Sequence, residues 1–334
     1  MSETHLESPG SPDPSWKVTL VIPILNEEQS LTELITSINN QTFPPDEIII
    51  VDGGSTDASC EVARRLTAGD LRYRILRTEH ATPGKGRNIG IRDARNEWIA
   101  LTDAGLSLER TWLQHLVSTA CGNPAVAIVY GNYEPVVSNF FQGCGVLLYC
   151  HPKSFKGGGW MRGPSIASSL LKRSAWQVVG GFPDLRASED EIFMERIRQK
   201  GLKIGWCPQA TVWWQPPPTV KDTFRRFATF SRWNVWAGRK RFWHSGFLRF
   251  YLCAIACVMF GIIFGRGWFL APVFGFIARV VKRTLQQRDN RGFLWAFNPL
   301  RIAGAAAVLA VIDLATFVGW IQALFHPSPV VGSA

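Results

Sequence analysis

Two apolar runs of four residues, Ile48-Ile49-Ile50-Val51 and Trp98-Ile99-Ala100-Leu101, each lead into an aspartate: Asp52 directly after the first, Asp103 one residue beyond the second. Short apolar runs without alternation read as strands buried on both faces. Such strands need helices on either side of their sheet. An acid at the C-terminal end of a strand in an open α/β sheet points into the crevice where ligands bind. A third acidic motif, Ser188-Glu189-Asp190, lies further along the chain. Carboxylates brought to one crevice from distant positions suit metal, nucleotide or general-base chemistry.

The segments between these motifs alternate in type. Residues 18–22 read as a first strand, stopped by Pro23. Leu31, Leu34, Ile35 and Ile38 recur at helical spacing over residues 27–40. Val62, Ala63 and Leu66 mark a helix that starts near Ser55 or Asp57, both good N-caps. Residues 73–76 form a third strand, Gly84-Lys85-Gly86-Arg87-Asn88 starts a glycine-rich helix, and a further helix covers residues 189–200. The βαβαβ alternation predicts a parallel sheet covered on both faces. Residues 125–217 mix short strands with glycine-rich loops, and no internal repeat is present.

The chain has 334 residues and a formal net charge of +10. The basic excess is uneven: Arg225, Arg226, Arg232, Arg239, Lys240, Arg241 and Arg249 precede an apolar stretch, and Lys282, Arg283, Arg288, Arg291 and Arg301 lie between two others. Charge that borders hydrophobic segments points to a membrane surface and away from nucleic acid. The seven cysteines include no CxxC pair, which argues against zinc and fits a reducing compartment. Three apolar segments, 250–264, 268–281 and 302–325, are candidate membrane helices. Only the last comfortably reaches the ~20 residues a span needs; the first two are tilted spans or a re-entrant hairpin. Three spans would hold the soluble part in the cytoplasm and the C-terminus outside. Asp313 within the last segment is expensive there unless paired. Residues 1–16, polar and rich in Pro and Ser, form a tail expected to be disordered, and residues 327–334 a second tail.

Pro23-Ile24-Leu25-Asn26-Glu27 after the first strand, Val51 to Asp57 after the second, Thr102-Asp103-Ala104-Gly105 and Ser188-Glu189-Asp190 follow one another in an order that resembles the family 2 glycosyltransferases. The resemblance implies an α/β GT-A nucleotide-binding domain with a mixed central sheet over residues 17–245. A membrane-associated helical region would follow at 246–326. It also implies an inverting enzyme that moves a sugar from a nucleotide-diphosphate donor to a lipid-linked or membrane-proximal acceptor. The setting would be a plasma or inner membrane, in cell-envelope glycan or glycolipid synthesis, with the catalytic domain cytoplasmic. The alternatives are an inactive GT-A membrane scaffold and a nucleotidyltransferase. The second would need a basic, glycine-rich loop where residues 23–27 stand.

Within that resemblance the donor is expected against Pro23, Asn26, Glu27, Asp52, Gly54, Ser55, Lys85, Arg87 and Asp103. Asp52 either receives a base N–H or ribose hydroxyl, or only starts its turn. Glu27 either lines the pocket or favours the positive end of its helix. Lys85 and Arg87 either compensate diphosphate charge or form a solvated helix face. The family's Asp-x-Asp motif binds a divalent metal, Mg²⁺ or Mn²⁺, and Asp103 matches its first acid; Gly105 stands where the second would be. The Glu189–Asp190 pair carries the catalytic role, with Asp190 as general base, although both acids would also suit a helix N-terminus. Processive members of the family carry Gln-x-x-Arg-Trp; here Arg232-Trp233 is present but Thr229 holds the Gln position. Arg226, Arg232 and Trp233 are therefore assigned to the diphosphate, the acceptor or the membrane surface. Trp213, Trp214, Trp236 and Trp243 suit an interfacial belt, sugar stacking or plain packing.

Overall fold

A computed structural model describes residues 15–289 and 291–326. The tail positions 1–14 and 327–334 lie outside the described residues. Trp16, assigned to the first tail, stacks on Trp98 with ring centroids 5.0 Å apart. Contacts divide the chain into two units, residues 1–134 with 154–214 and residues 135–153 with 215–334. That division differs from a boundary at residue 245 and gives two stretches of the expected catalytic domain to the helical unit.

The first unit begins with the alternation β1 Val18–Ile24, α1 Leu31–Asn39, β2 Glu47–Asp52, α2 Ser59–Leu66, β3 Tyr73–Arg77, α3 Pro83–Asp93 and β4 Trp98–Leu101. These four strands run parallel in the order β3-β2-β1-β4. Even-numbered residues of β1 and β2 (Leu20, Ile22, Ile48, Ile50) bury against Leu31, Leu34 and Ile38 of α1. Odd-numbered ones (Val21, Ile49, Val51) bury on the opposite face against Ile91 of α3. That double burial is why the runs carry no polar alternation.

One expectation is corrected here. The first strand continues through Pro23, which pairs with Val51. Pairing with β4 ends at Val21, so the missing proline N–H falls where only one neighbour remains. The whole sheet is mixed, as the family resemblance implies. After β4 come β5 Leu106–Leu108, α4 Trp112–Cys121, β6 Ile128–Pro135, β7 Ser154–Lys156, β8 Gly159–Met161, β9 Ser169–Lys172, α6 Arg173–Val179, α7 Glu189–Gln199 and β10 Ile204–Trp214, where α5 is Phe140–Tyr149 of the other unit. The eight-stranded order is β3-β2-β1-β4-β9-β6-β10-β5, with β9 antiparallel to both β4 and β6. β9 follows the β7–β8 hairpin with no crossover helix to impose a parallel direction.

Helix α3 lies unusually close to β1. A Cβ on Gly90 would sit 2.4 Å from Val21 Cγ1, and one on Gly84 would sit 2.1 Å from the Pro183 carbonyl oxygen. These glycines let the helix, and the side chain of Arg87 on it, reach the strand ends.

The second unit holds α5, α8 Val220–Trp236, α9 Lys240–Phe264, α10 Leu270–Gln286 and α11 Pro299–Phe325. Two segments, Trp243–Phe264 and Pro299–Phe325, are long and apolar enough to cross a membrane. The first is longer than the expected 250–264 because the preceding basic and aromatic residues are helical too. The middle segment, with 17 residues in α10, spans only about 25 Å. Two segments, rather than three, therefore meet the length and composition that a crossing needs. Asp313 is paired: Arg279 of α10 donates to both of its oxygens at 2.7 and 3.1 Å, and the Tyr251 hydroxyl of α9 donates at 2.8 Å. The two ionisable residues of the apolar segments satisfy each other.

Candidate active site

Asp52, wholly buried, ends β2 opposite Ile24. Its Oδ1 accepts from the backbone N–H groups of Gly54 (3.2 Å) and Ser55 (2.8 Å). Its Oδ2 accepts no hydrogen bond and lies 3.6 Å from Arg77 Nε. The turn-forming reading thus describes Oδ1, while Oδ2 is left without a hydrogen bond among the described residues. Gly54 has φ +96°, a conformation L side chains rarely adopt, and a Cβ on Gly53 would lie 2.7 Å from the Ala81 carbonyl oxygen.

The loops after β1 and β2 are tied to each other. Asn26, at φ +58°, accepts from Thr56 N–H through Oδ1 at 2.8 Å and donates its own N–H to Ser55 Oγ at 2.9 Å. Glu27 N–H donates to Ser59 Oγ at 2.6 Å. Asn26 and Ser55 therefore join the two loops through these contacts. Pro23 lies within β1, paired with Val51.

Glu27 turns toward the third loop. Its Oε2 accepts from Ser30 Oγ at 2.6 Å and would lie 3.8 Å from a Cβ on Gly105. Burial pushes the Glu27 carboxyl above its ordinary range; the Ser30 bond opposes this, the charges of Asp103 and Asp57 add to it, and Arg186 subtracts. Glu27 thus fronts the position that Gly105 leaves without an acid.

Arg87 joins the later motifs. Its side chain is 3% exposed, with Nη2 donating to Asp103 Oδ1 at 2.6 Å and Nη1 to Glu189 Oε1 at 2.8 Å. The guanidinium also lies over Phe182, 5.5 Å from the ring centroid. Burial opposes its charge, but Asp103 and Glu189 together outweigh that and keep it protonated. Arg87 is therefore not the free phosphate cation expected from a glycine-rich helix start. Lys85 is half-exposed, and among the described residues no hydrogen bond to its amine is found.

Asn88, next to Arg87, fastens the loop before α7. Its Oδ1 accepts from Phe182 N–H and Trp176 Nε1, both at 2.9 Å, and its Nδ2 donates to the Phe182 carbonyl at 2.7 Å. Thr82, the N-cap of α3, donates to Asp184 at 2.6 Å. Ser188 then enters α7 with φ +66°. Burial, together with the charge of Asp190, lifts the Glu189 carboxyl to about 7 against the opposing pull of Arg87. Asp190 is half-buried; one oxygen accepts from Glu191 N–H at 2.8 Å. Its other oxygen accepts no hydrogen bond among the described residues.

Sequence reasoning passed over Asn88, Arg77 and Arg186. Only Asn88 left a trace, as the last residue of the glycine-rich segment Gly84-Lys85-Gly86-Arg87-Asn88. Arg226, Arg232 and Trp233 lie on α8 of the helical unit. Arg226 sits over Phe230 and Arg232 over Trp236, while Trp233 is buried against Trp236. Trp243 packs on Phe227 and Phe230, and Trp213 donates to Glu109 at 3.2 Å.

For a divalent ion, no group of three or more His, Cys, Asp or Glu side chains is arranged to hold one among the described residues. Mg²⁺ and Mn²⁺ at phosphate sites need only one or two carboxylates beside phosphate and water. Asp103, 36% exposed, and Glu27 each keep one oxygen without a hydrogen bond among the described residues, which fits that donor set.

Residues 19–162 match the family model described as glycosyl transferase family 2. The probable glycosyltransferase YdaM of Bacillus subtilis is 23% identical over 302 residues, 79% of this chain and 70% of that protein. The glycosyltransferase AglE of Haloferax volcanii is 32% identical over 120 residues, 35% of this chain and 39% of that protein. Thus the chain spans less than half of AglE's length. Among solved structures, the mannosyltransferase PcManGT from Pyrobaculum calidifontis, in complex with GDP-Man and Mn²⁺, aligns with a TM-score of 0.53 at 20% identity, covering 94% of this chain and 89% of that one. That likeness concerns the fold.

Proposed function

The chain belongs to the family 2 glycosyltransferases and has the GT-A fold, and from that premise we propose that it transfers a single sugar, with inversion, from a nucleoside-diphosphate donor to a lipid-linked or membrane-proximal acceptor at the cytoplasmic face of a membrane. The observation that carries this reading is the Asp103–Arg87–Glu189 bridge. It gathers the two later acidic motifs into one cluster and leaves Asp190 beside it with an oxygen free to take a proton.

The geometry supports the following roles. Asp52 Oδ2 receives a donor N–H or hydroxyl, since a buried carboxylate oxygen without a hydrogen bond is costly until a ligand supplies one. Lys85, near the start of α3, meets diphosphate charge. Asp103 and Glu27 would hold a divalent ion, which when bound supplies Lewis-acid stabilisation of the departing nucleoside diphosphate. Arg87 engages both Asp103 and Glu189, so the carboxyl oxygen of the later motif left without a hydrogen bond, and able to act as base, is on Asp190. Asp190 takes the proton of the acceptor hydroxyl as its oxygen attacks the anomeric carbon, and the diphosphate leaves from the opposite side. The apolar helices support the acceptor class, because they tether the site to a bilayer that a lipid-linked substrate does not leave.

A donor screen tests the reading. Membranes carrying the full chain are incubated with a panel of nucleotide sugars, with and without EDTA, and nucleoside diphosphate release is followed. Acceptor-dependent release from one donor is expected, reduced by EDTA. Transfer confined to soluble acceptors sinks the lipid assignment. The second reading, an inactive scaffold, is favoured by Gly105 alone, and absence of release from every donor would establish it.

A further inference from the structure

The last turns of α10 and the segment that follows form a feature that the transfer chemistry does not use. A groove of ≈ 540 Å³ is lined by Ala278, Val281 and Leu285 with Phe293, and by Lys282, Gln286 and Arg288. Ala278, Val281, Lys282 and Leu285 recur at helical spacing, so they form one face of α10. Val280, Thr284 and Gln287 are buried instead. Phe293 comes from a 3₁₀ helix, Phe293–Phe297, fastened by the Thr284 hydroxyl donating to the Ala296 carbonyl at 3.3 Å. Gln287 Nε2 donates to the Cys150 carbonyl at 2.6 Å, which ties the end of α10 to the residue after α5.

Beyond the groove the 3₁₀ helix presents Phe293, Leu294, Phe297 and the following Leu300 to solvent, with Leu294 85% exposed. Cations surround this apolar tip. Arg288 lies over Phe293, and Arg291 and Arg301 lie over Trp295 at 4.4 and 3.9 Å from the ring centroid. Residues 282–301 carry Lys282, Arg283, Arg288, Arg291 and Arg301 against the single acid Asp289. An apolar groove that a lysine and an arginine also line matches an acyl chain that ends in a negatively charged phosphate. An exposed apolar tip ringed by arginines matches the headgroup layer around it.

We propose that the groove between α10 and the 293–297 helix binds one anionic phospholipid of the surrounding bilayer, with the acyl chain along Ala278, Val281, Leu285 and Phe293 and the phosphate between Lys282 and Arg288. This rests on the placing of the helical unit in a membrane and goes beyond it by naming the lipid class and its seat. Bound there, the lipid fixes the depth at which the 293–300 tip sits.

The test is lipid retention by the full chain purified in a neutral detergent, read by native mass spectrometry without donor or acceptor. Equimolar phosphatidylglycerol and phosphatidylcholine with identical acyl chains are added. Wild type is expected to retain phosphatidylglycerol in preference by on the order of tenfold. Lys282→Gln/Arg288→Gln, at unchanged melting temperature, is expected to lose the preference, and Phe293→Ser to retain less of both lipids. If the double variant does not fold, Lys282→Gln alone, at an exposed position, is expected to reduce the preference. Equal retention of the two lipids by wild type overturns the proposal, as does a preference that survives the charge variants. Displacement of phosphatidylglycerol by equimolar inorganic phosphate would identify a free-anion site and also overturn it. No turnover is measured, so failure here leaves the transfer reading standing.

Discussion

Arg87 Nη2 lies 2.6 Å from Asp103 Oδ1, so the acid matching the family's metal motif is already held by a buried guanidinium. The same guanidinium reaches Glu189, 102 positions away in the chain. Removing one partner of a buried ion pair costs about 3–5 kcal/mol, because the other charge stays buried and unpaired. Arg87→Met is therefore expected to lower folding stability by about 3 kcal/mol. Arg87→Lys, with one ammonium in place of the fork, is expected to restore only part of it. Urea denaturation checks both, and a midpoint unchanged in Arg87→Met refutes the clamp.

Asp52→Asn separates the two oxygens of that residue. An amide oxygen in the Oδ1 place keeps the bonds from Gly54 and Ser55, while an NH₂ group replaces the buried acceptor Oδ2. Loss of one hydrogen bond to a charged group, about 1.5–3 kcal/mol, is expected to weaken nucleoside diphosphate binding by roughly tenfold or more. Titration calorimetry reads this, with a melting temperature close to wild type. Equal affinity would leave Asp52 as a turn former only.

Asp190→Asn is expected to lower the rate of transfer by about 10²–10⁴ while donor affinity stays within about twofold. Single-turnover transfer and equilibrium binding of the donor check the two halves. A rate that survives the substitution removes Asp190 as the base.

Glu189 sets a slope in stability against pH. Its carboxyl titrates near 7 in the folded chain, above the ordinary 4.5, so the folded state holds its proton longer than the unfolded state does. The stability from this group is full below pH 4.5 and declines as pH rises to about 7, where it levels off. Glu189→Gln keeps an acceptor for Arg87 but has nothing to titrate, so the decline between those values is expected to shrink. Denaturation of both proteins from pH 4.5 to 8 is the measurement, and an identical slope in the variant counts against the assignment.

Gly105→Asp restores the missing acid. The site has room, since the nearest atom to an added Cβ is Glu27 Oε2 at 3.8 Å, although φ +78° places some strain on any L side chain. Adding a carboxylate to a hard-cation site is expected to tighten Mn²⁺ binding by about tenfold in the presence of nucleoside diphosphate. Free Mn²⁺ measured by electron paramagnetic resonance reads the affinity directly. Unchanged binding would place the ion away from Glu27 and position 105.

The strands that lead into Asp52 and Asp103 were legible because a strand buried on both faces needs an unbroken apolar run. The helix that opens with Glu189 was legible from its own spacing. Pro23 misled because its missing N–H matters only where a second strand would pair with it. The antiparallel β9 was hidden because its four residues carry no sign of direction. Arg87 looked like a phosphate-binding residue because a glycine-rich helix start has the same composition whether its arginine faces a ligand or a buried carboxylate.

The sequence by itself determined the alternating elements, the acids at their ends and the long apolar helices, since those follow from local periodicity and turn chemistry. Tertiary structure alone decided which charges meet: Arg87 with Asp103 and Glu189, Arg279 with Asp313, Glu27 opposite Gly105. Electrostatic pairing depends on distance through space and on burial, and neither is encoded in the spacing of residues along the chain.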